Sequence, residues 1–179
     1  KRCLKNSSSF AIIKDGPFKI FYCKDFMRES VASVIFKHDS AMMHHEKIEK
    51  QTSKKTISYQ LLTHNHSKLS VVVKEYRLKV ISGFFRGIFK INPLKKEWLN
   101  LHNLIIRKIP VPKPIAYAEK DILFLSKKCY LITQEITNSL PLNKFIEKKL
   151  QKKLTDKKKF LFDLSRFIKN LHQNKIYHH

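Results

Sequence analysis

The sequence predicts an α+β fold: an antiparallel sheet with one helix set into it, followed by a pair of helices. Three observations carry this expectation. Short apolar runs separated by polar turns fill most of residues 10–136. One strong helix signal, Asn92-Pro93 followed by leucines at helical spacing, interrupts them. Beyond Pro141 the apolar residues recur at intervals of three and four.

Taken in order, Phe10–Ile13, Phe18–Cys23 and Val31–Phe36 read as strands or short helices, the first two separated by the turn Asp15-Gly16-Pro17. The polar stretch His38–Lys55 reads as a connection. Ile57–Leu62 and Leu69–Tyr76 read as two strands of a hairpin, turned through Thr63–Ser67. Lys79–Lys90 is basic and aromatic and holds two of the three glycines. Asn92 is an N-cap candidate with proline at the first helical position, and the helix should run to about Arg107. Ile109–Pro114, with three prolines, forces extended backbone. Ile115–Ala118 and Cys129–Glu135 read as further strands, with Lys120–Leu125 in the hairpin between them. Leu142–Leu150 reads as a short helix. A longer amphipathic helix starts near Thr155-Asp156, presents Phe160, Leu164, Phe167, Ile168 and Leu171, and ends at Asn174. The implied organisation is an extension with the first strands over 1–54, a sheet-bearing lobe over 55–136, and the start of a helical lobe over 137–179.

The 179 residues carry 37 Lys plus Arg against 14 Asp plus Glu, a net charge of +23. Such a surplus points to nucleic acid, anionic lipid or a phosphorylated ligand, although lysine-rich compositional bias accounts for much of it. With 42% hydrophobic residues the chain has material for a core, which argues against disorder. Three glycines leave no glycine-loop nucleotide motif, and no apolar run approaches the ~20 residues of a membrane span. Cys3, Cys23 and Cys129 are too widely spaced for a metal site and read as reduced thiols of a cytosolic protein. His38, His44, His45, His64 and His66 lack the carboxylate or cysteine spacing that would make them ligands, so no metal site is expected.

Two charged residues stand out because each falls where a charge is costly. Lys74 lies in Val71-Val72-Val73-Lys74-Glu75-Tyr76, sharing a strand face with Val72 and Tyr76; the valine run suggests burial on both faces. Glu97 lies on the apolar face of the following helix, with Leu94, Leu101 and Leu104 at i−3, i+4 and i+7. Desolvating either charge alone costs several kcal/mol, and pairing them removes the difficulty. A strand lysine held by a helix glutamate is how protein-kinase-like enzymes grip the phosphates of ATP.

At this point the chain resembles the lipopolysaccharide kinase (Kdo/WaaP) family, a branch of the protein-kinase-like fold. The matching stretches are VVVKEYR, the basic-aromatic insert, KKEWLNLHNLIIRKIPVPKPIAYAE, CYLITQEI, LPLNKFI and FLFDLSRFIKNLHQNKIYHH, over roughly residues 55–179. The resemblance implies a kinase-like small lobe followed by the first helices of the larger one. It implies that Lys74 binds the α- and β-phosphates of ATP and that Glu97 holds Lys74. It makes Thr133 the gatekeeper, and the Gln134 carbonyl and Ile136 amide the adenine-binding hinge. His178 takes the place of the histidine that opens the catalytic loop. The catalytic aspartate would follow His179, so the chain is expected to be an amino-terminal fragment, inactive alone, with Mg²⁺ ligands supplied downstream. The pattern departs from the family's in two places: the chain ends before the catalytic aspartate, and Lys50–Lys55 stands where a glycine-rich loop would lie, leaving backbone amides or Ser53 and Lys54 to meet phosphate.

The acceptor this implies is a Kdo or heptose sugar of the lipopolysaccharide inner core, handled on the cytoplasmic side of the inner membrane. The basic insert is a candidate contact for an anionic membrane surface or the glycolipid, and reads equally as a helix packed through Val80, Phe84, Ile88 and Phe89. Two alternatives remain: a basic nucleic-acid-binding module, for which no recognised motif is present, and a kinase of the same fold acting on a protein or small molecule.

Overall fold

The computed structural model describes residues 2–44, 48–51, 55–65, 67–79, 92–122, 126–149 and 154–176. They fall into two compact units. The first holds residues 1–106 and 110–135; the second holds 107–109 and 136–179.

The first unit is a seven-stranded sheet flanked by two helices, and every described strand pair is antiparallel. Its elements are β1 (Phe10–Asp15), β2 (Phe18–Cys23), α1 (Arg28–His44), β3 (Ile48–Gln51), β4 (Lys55–His64), β5 (Ser67–Lys79), α2 (Pro93–Ile106), β6 (Pro114–Ile122) and β7 (Ser126–Gln134). The strand order is β1-β2-β6-β7-β5-β4-β3. The expected α+β class and the strand–helix–strand order are therefore present. Gly16, at φ 51°, makes the tight β1–β2 turn, a conformation open to glycine without a Cβ penalty. Asn65, at φ 46°, lies in the β4–β5 turn, where asparagine is tolerated.

Two expectations need correction. The stretch His38–Lys55 is not merely a connection: α1 runs through His44, and β3 follows it. Val31–Phe36 is the middle of that helix, and Val31, Val34, Ile35 and His38 line its buried side at helical spacing. The valine run is not buried on both faces either. Val71, Val73 and Glu75 are fully buried, whereas Val72, Lys74 and Tyr76 are half-buried. β5 alternates, and its deepest charge is Glu75 rather than Lys74.

Residues 1–54 are part of the sheet lobe. β2 pairs with β6 through Phe18↔Lys120 to Tyr22↔Ala116, and α1 packs on β4. Because successive side chains leave opposite faces of a strand, α1 and α2 cover opposite sides of the sheet: α1 meets the face of Glu75, and α2 meets that of Lys74. Between them lie Ile20, Ile115, Ala116, Tyr117, Tyr130, Leu131 and Ile132, none of them exposed.

α2 begins as its sequence dictates. The Asn92 side-chain oxygen accepts the Leu94 and Lys95 amides at 3.1 and 3.3 Å, and its Nδ2 donates to the Tyr117 hydroxyl at 2.6 Å. Leu94, Trp98 and Leu101 form its buried stripe. All three cysteines are free and buried; burial pushes the Cys23 thiol up to about 12 and the Cys129 thiol up to about 11.

The second unit contains α3 (Leu142–Lys149) and α4 (Leu154–Gln173), with Phe145 and Phe160 rings 5.4 Å apart. α4 closes in a Schellman turn: Lys175 takes φ 57°, its amide bonds the His172 carbonyl, and the Ile176 amide bonds that of Leu171. Of the five apolar positions expected on α4, Leu171 is buried, Phe160 and Leu164 are half-buried, and Phe167 and Ile168 are exposed. No described helix is long and apolar enough to cross a membrane, which says nothing of strands that might.

Replacing the cap tests this account. Asn92→Ala is expected to lower the unfolding free energy by about 1–2 kcal/mol, read as a fall in the urea midpoint at unchanged m-value. An unchanged midpoint would mean that the cap does not hold α2.

Candidate functional site

Lys74 and Glu97 are brought together. Lys74 stands in β5 opposite Leu131 of β7 and Ile57 of β4, both on its face of the sheet. Its Nζ donates to Glu97 Oε1 at 2.5 Å, and the two side chains are 26% and 35% exposed. The ammonium has three donors, and Glu97 accepts one, so the geometry leaves Lys74 able to meet an anion. The pair is open enough to be reached and dry enough for its charge to count.

Thr133 is buried in β7, facing Val72 of β5 and therefore on the same side as Lys74. Gln134 ends β7; its amide bonds the Lys113 carbonyl at 2.9 Å. The Glu135 amide bonds the Ser70 carbonyl at 3.0 Å, and the Ser70 hydroxyl donates to the Glu135 carboxylate. Ile136, an exposed residue of the second unit, accepts a bond from the Ser139 hydroxyl on its carbonyl. His178 lies outside the described residues, as do Ser53, Lys54, and residues 80–90 of the basic-aromatic stretch.

A second polar cluster, which sequence reasoning missed, lies on the far face of the same strand. Glu75 is fully buried, with Arg77 Nε at 2.7 Å, His38 Nε2 at 3.4 Å and Lys128 Nζ at 3.8 Å. His38 Nδ1 is 2.6 Å from the Ser58 hydroxyl. One residue along α1, Asp39 accepts from Lys120, from Lys128 at 2.7 Å and from the Tyr130 hydroxyl at 2.6 Å. Burial alone would raise the Asp39 carboxyl, but the bonds from Lys120, Lys128 and Tyr130 outweigh it and hold it at about 2. Burial likewise opposes ionisation of Glu75, and His38, Arg77 and Lys128 overcome it, lowering its pKa. The strand's parity could have revealed this: Glu75 alternates with Val71 and Val73, so if they are core, it is too.

The two described histidines of the five, His38 and His64, have separate partners. His38 is committed to Ser58 and Glu75, and the His64 ring packs 4.7 Å from Phe26. The side chains of His44, His45 and His66 lie outside the described residues. Among the described residues, no three His, Cys, Asp or Glu stand where they could hold a metal.

A strand lysine ion-paired to a helix glutamate, on an antiparallel sheet whose strands that helix separates in sequence, is an α+β arrangement consistent with the small lobe of a protein-kinase-like fold. The comparison with known families narrows it. The model of the lipopolysaccharide kinase (Kdo/WaaP) family matches residues 44–179, well over half the chain, and the chain belongs to that family. No curated protein and no solved structure matches it. Membership makes this a kinase at the level of the family. The residues present fit one part of the nucleotide, because Lys74 offers donors to phosphate oxygens; the described residues offer no carboxylate cluster for an accompanying Mg²⁺.

The far-face cluster makes a pH-dependent contribution to stability. Asp39 has a folded-state pKa depressed from 3.8 to about 2. Its contribution is fully present above the unfolded value and is lost as pH falls from about 4 to about 2. Asp39→Asn should therefore destabilise the protein at pH 6 and flatten the acid limb between those values. The check is the difference in urea midpoint between wild type and variant across pH; a difference that stays constant down to pH 2 would contradict the assignment.

Proposed function

We propose that this protein is an ATP-dependent kinase that phosphorylates a Kdo or heptose sugar of the lipopolysaccharide inner core. The observation that carries the proposal is the Lys74–Glu97 contact of 2.5 Å in a chain of this family. In this reading Lys74 binds the α- and β-phosphates, and Glu97 aims the ammonium. Phosphoryl transfer needs little covalent chemistry from the protein, so fixed positive charge and positioning are the main contributions of such a lobe. Adenine recognition would fall to the Gln134 carbonyl and the Ile136 amide, two positions apart along the chain, with Thr133 as the gatekeeper. The Gln134 and Glu135 amides are already bonded to backbone carbonyls, which supports leaving recognition to the other two groups. Mg²⁺, when bound with ATP, would neutralise the phosphate charge that Lys74 does not meet, and His178 would position the loop that meets the acceptor.

The surplus of +23 supports work beside an anionic surface. Each lysine or arginine near such a surface is worth about 1 kcal/mol, so peripheral attachment to the cytoplasmic face of the inner membrane needs only a few of them. The acceptor is itself an anionic glycolipid, which the same charge would attract.

Lys74→Ala should abolish ATP-dependent phosphorylation of the sugar acceptor while the thermal transition stays within a few degrees of wild type. Glu97→Gln should lower kcat/KM by about 10²-fold, as expected when a positioning contact to the reacting groups is loosened. Turnover undiminished in Lys74→Ala would overturn the proposal.

A further inference from the structure

α2 presents Glu97 to Lys74, and the amino-terminal residues touch α2 one position along from that glutamate. Trp98 is fully buried, and its indole Nε1 donates to the Cys3 carbonyl at 3.3 Å. Cys3 lies in a single 3-10 turn, Arg2–Leu4, and is itself buried. Phe10, the first residue of β1, stands opposite Cys23 of β2. That places it on the face of the sheet that carries Tyr117 and Lys74. Its ring meets Trp98 edge-on with centroids 6.3 Å apart, and meets His102 edge-on at 4.9 Å. Trp98 and His102, one helical turn apart, are themselves in edge contact at 4.2 Å. Burial pushes His102 down to about 4, so the ring sits among aromatics as an uncharged surface at pH 7. All of these amino-terminal residues lie outside the segment 44–179 that defines the family.

We propose that the segment Cys3–Phe10 is a positioning clamp for α2, fixing the rotation of that helix so that Glu97 stays on Lys74. For its bearing on catalysis this rests on the reading of Lys74 and Glu97 as the phosphate grip. The geometry explains why a clamp is needed at that point. Side chains reach about 5–6 Å from a helix axis, so a turn of about 20° moves a carboxylate by about 2 Å, enough to break a 2.5 Å contact. The N-cap at Asn92 holds the start of α2 but leaves its rotation to the packed stripe. A directional bond from the residue next to Glu97 is the contact that resists rotation most directly. Phe10 closes the same site from the side, wedged against residues i+1 and i+5 from the glutamate. Trp98, His102, Phe10 and Cys3 are positioning residues; none is placed to touch a nucleotide.

The test reads the pair without any ligand. Lysine acylation with acetic anhydride, quantified peptide by peptide by mass spectrometry, reports how well Glu97 protects Lys74. Trp98 is the only tryptophan, so intrinsic emission reports the clamp itself. Glu97→Ala sets the labelling of an unprotected Lys74. Phe10→Ala is expected to raise Lys74 labelling toward that level, about fivefold for loss of a partly exposed ion pair. Its Trp98 emission should shift to the red, while Lys128, held by Asp39 on the other face, labels as in wild type. A chain beginning at Lys5, which removes the Cys3 carbonyl, should do the same and serves if Phe10→Ala does not fold.

Lys74 labelling at the wild-type value in a folded clamp variant, with Glu97→Ala labelling raised, overturns the clamp. So does labelling that no variant moves. MgATP forms a separate arm: in wild type it should shield Lys74 from acylation where adenosine does not. Failure of that arm alone counts against the nucleotide reading, and the clamp is still decided by the ligand-free comparison.

Discussion

The structure turns on the alternation of β5 between Lys74 and Glu75. These are adjacent residues of opposite charge whose side chains leave opposite faces of one strand. Neither can be taken out of water alone, because an unpaired charge in the interior costs several kcal/mol. Each therefore needs a partner from the layer above its own face. Glu97 of α2 serves Lys74; His38 of α1, with Arg77 and Lys128, serves Glu75. A slip of β5 by one residue would exchange the two faces. Lys74 would then face Lys128, and Glu75 would face Glu97. The register is thus fixed by repulsion in the wrong arrangement as well as by the hydrophobic pattern, and fixing the register is what places the ammonium at the site.

The scarcity of acids gives their positions meaning. With 14 carboxylates against 37 basic residues, acids are too few to pair one to one. Asp39 gathers Lys120, Lys128 and Tyr130, giving two cations on one face of the sheet a shared counter-charge. Lys113 and Asp25 form a pair on the surface, where such contacts contribute little. Lys74 differs from both kinds. It is neither saturated by several acceptors nor free in solvent, and one carboxylate orients it while leaving donors available. Partnering and partial exposure, rather than the total charge, mark Lys74 as the candidate site lysine.

What could be read from the sequence follows the range of the interactions involved. α2 was legible because its start is local: Asn92-Pro93 caps it, and Leu94, Trp98 and Leu101 keep a single stripe. The β1–β2 and β4–β5 turns were legible for the same reason, through Asp15-Gly16-Pro17 and Thr63–Ser67. Lys74 and Glu97 were legible as charges in places where charge is expensive. α1 was hidden. Its core residues Val31, Val34 and Ile35 are β-branched and weakly helical, and its second half is rich in His, Asp and Ser, which locally favour turns. Only packing against β4 makes it a helix. The Glu75 cluster and the contacts of Cys3 and Phe10 on α2 were not legible at all. Cys3 and Trp98 are 95 residues apart, and no local pattern announces that they meet.

The boundary of the family match at residue 44 is therefore not a folding boundary. Cutting there would remove β1, β2 and α1. β6 would lose its hydrogen-bonded neighbour, the face bearing Tyr130 and Ile132 would lose Phe18, Ile20, Val31 and Ile35, and Glu75 would lose His38. Each fully buried large apolar side chain contributes roughly 1.5–3 kcal/mol, whereas a whole domain is stable by only about 5–15 kcal/mol. Several such losses together exceed what the lobe has to spare, before the unpaired glutamate is counted. The segment that carries Lys74 and Glu97 thus depends for its own folding on residues that lie outside the family match.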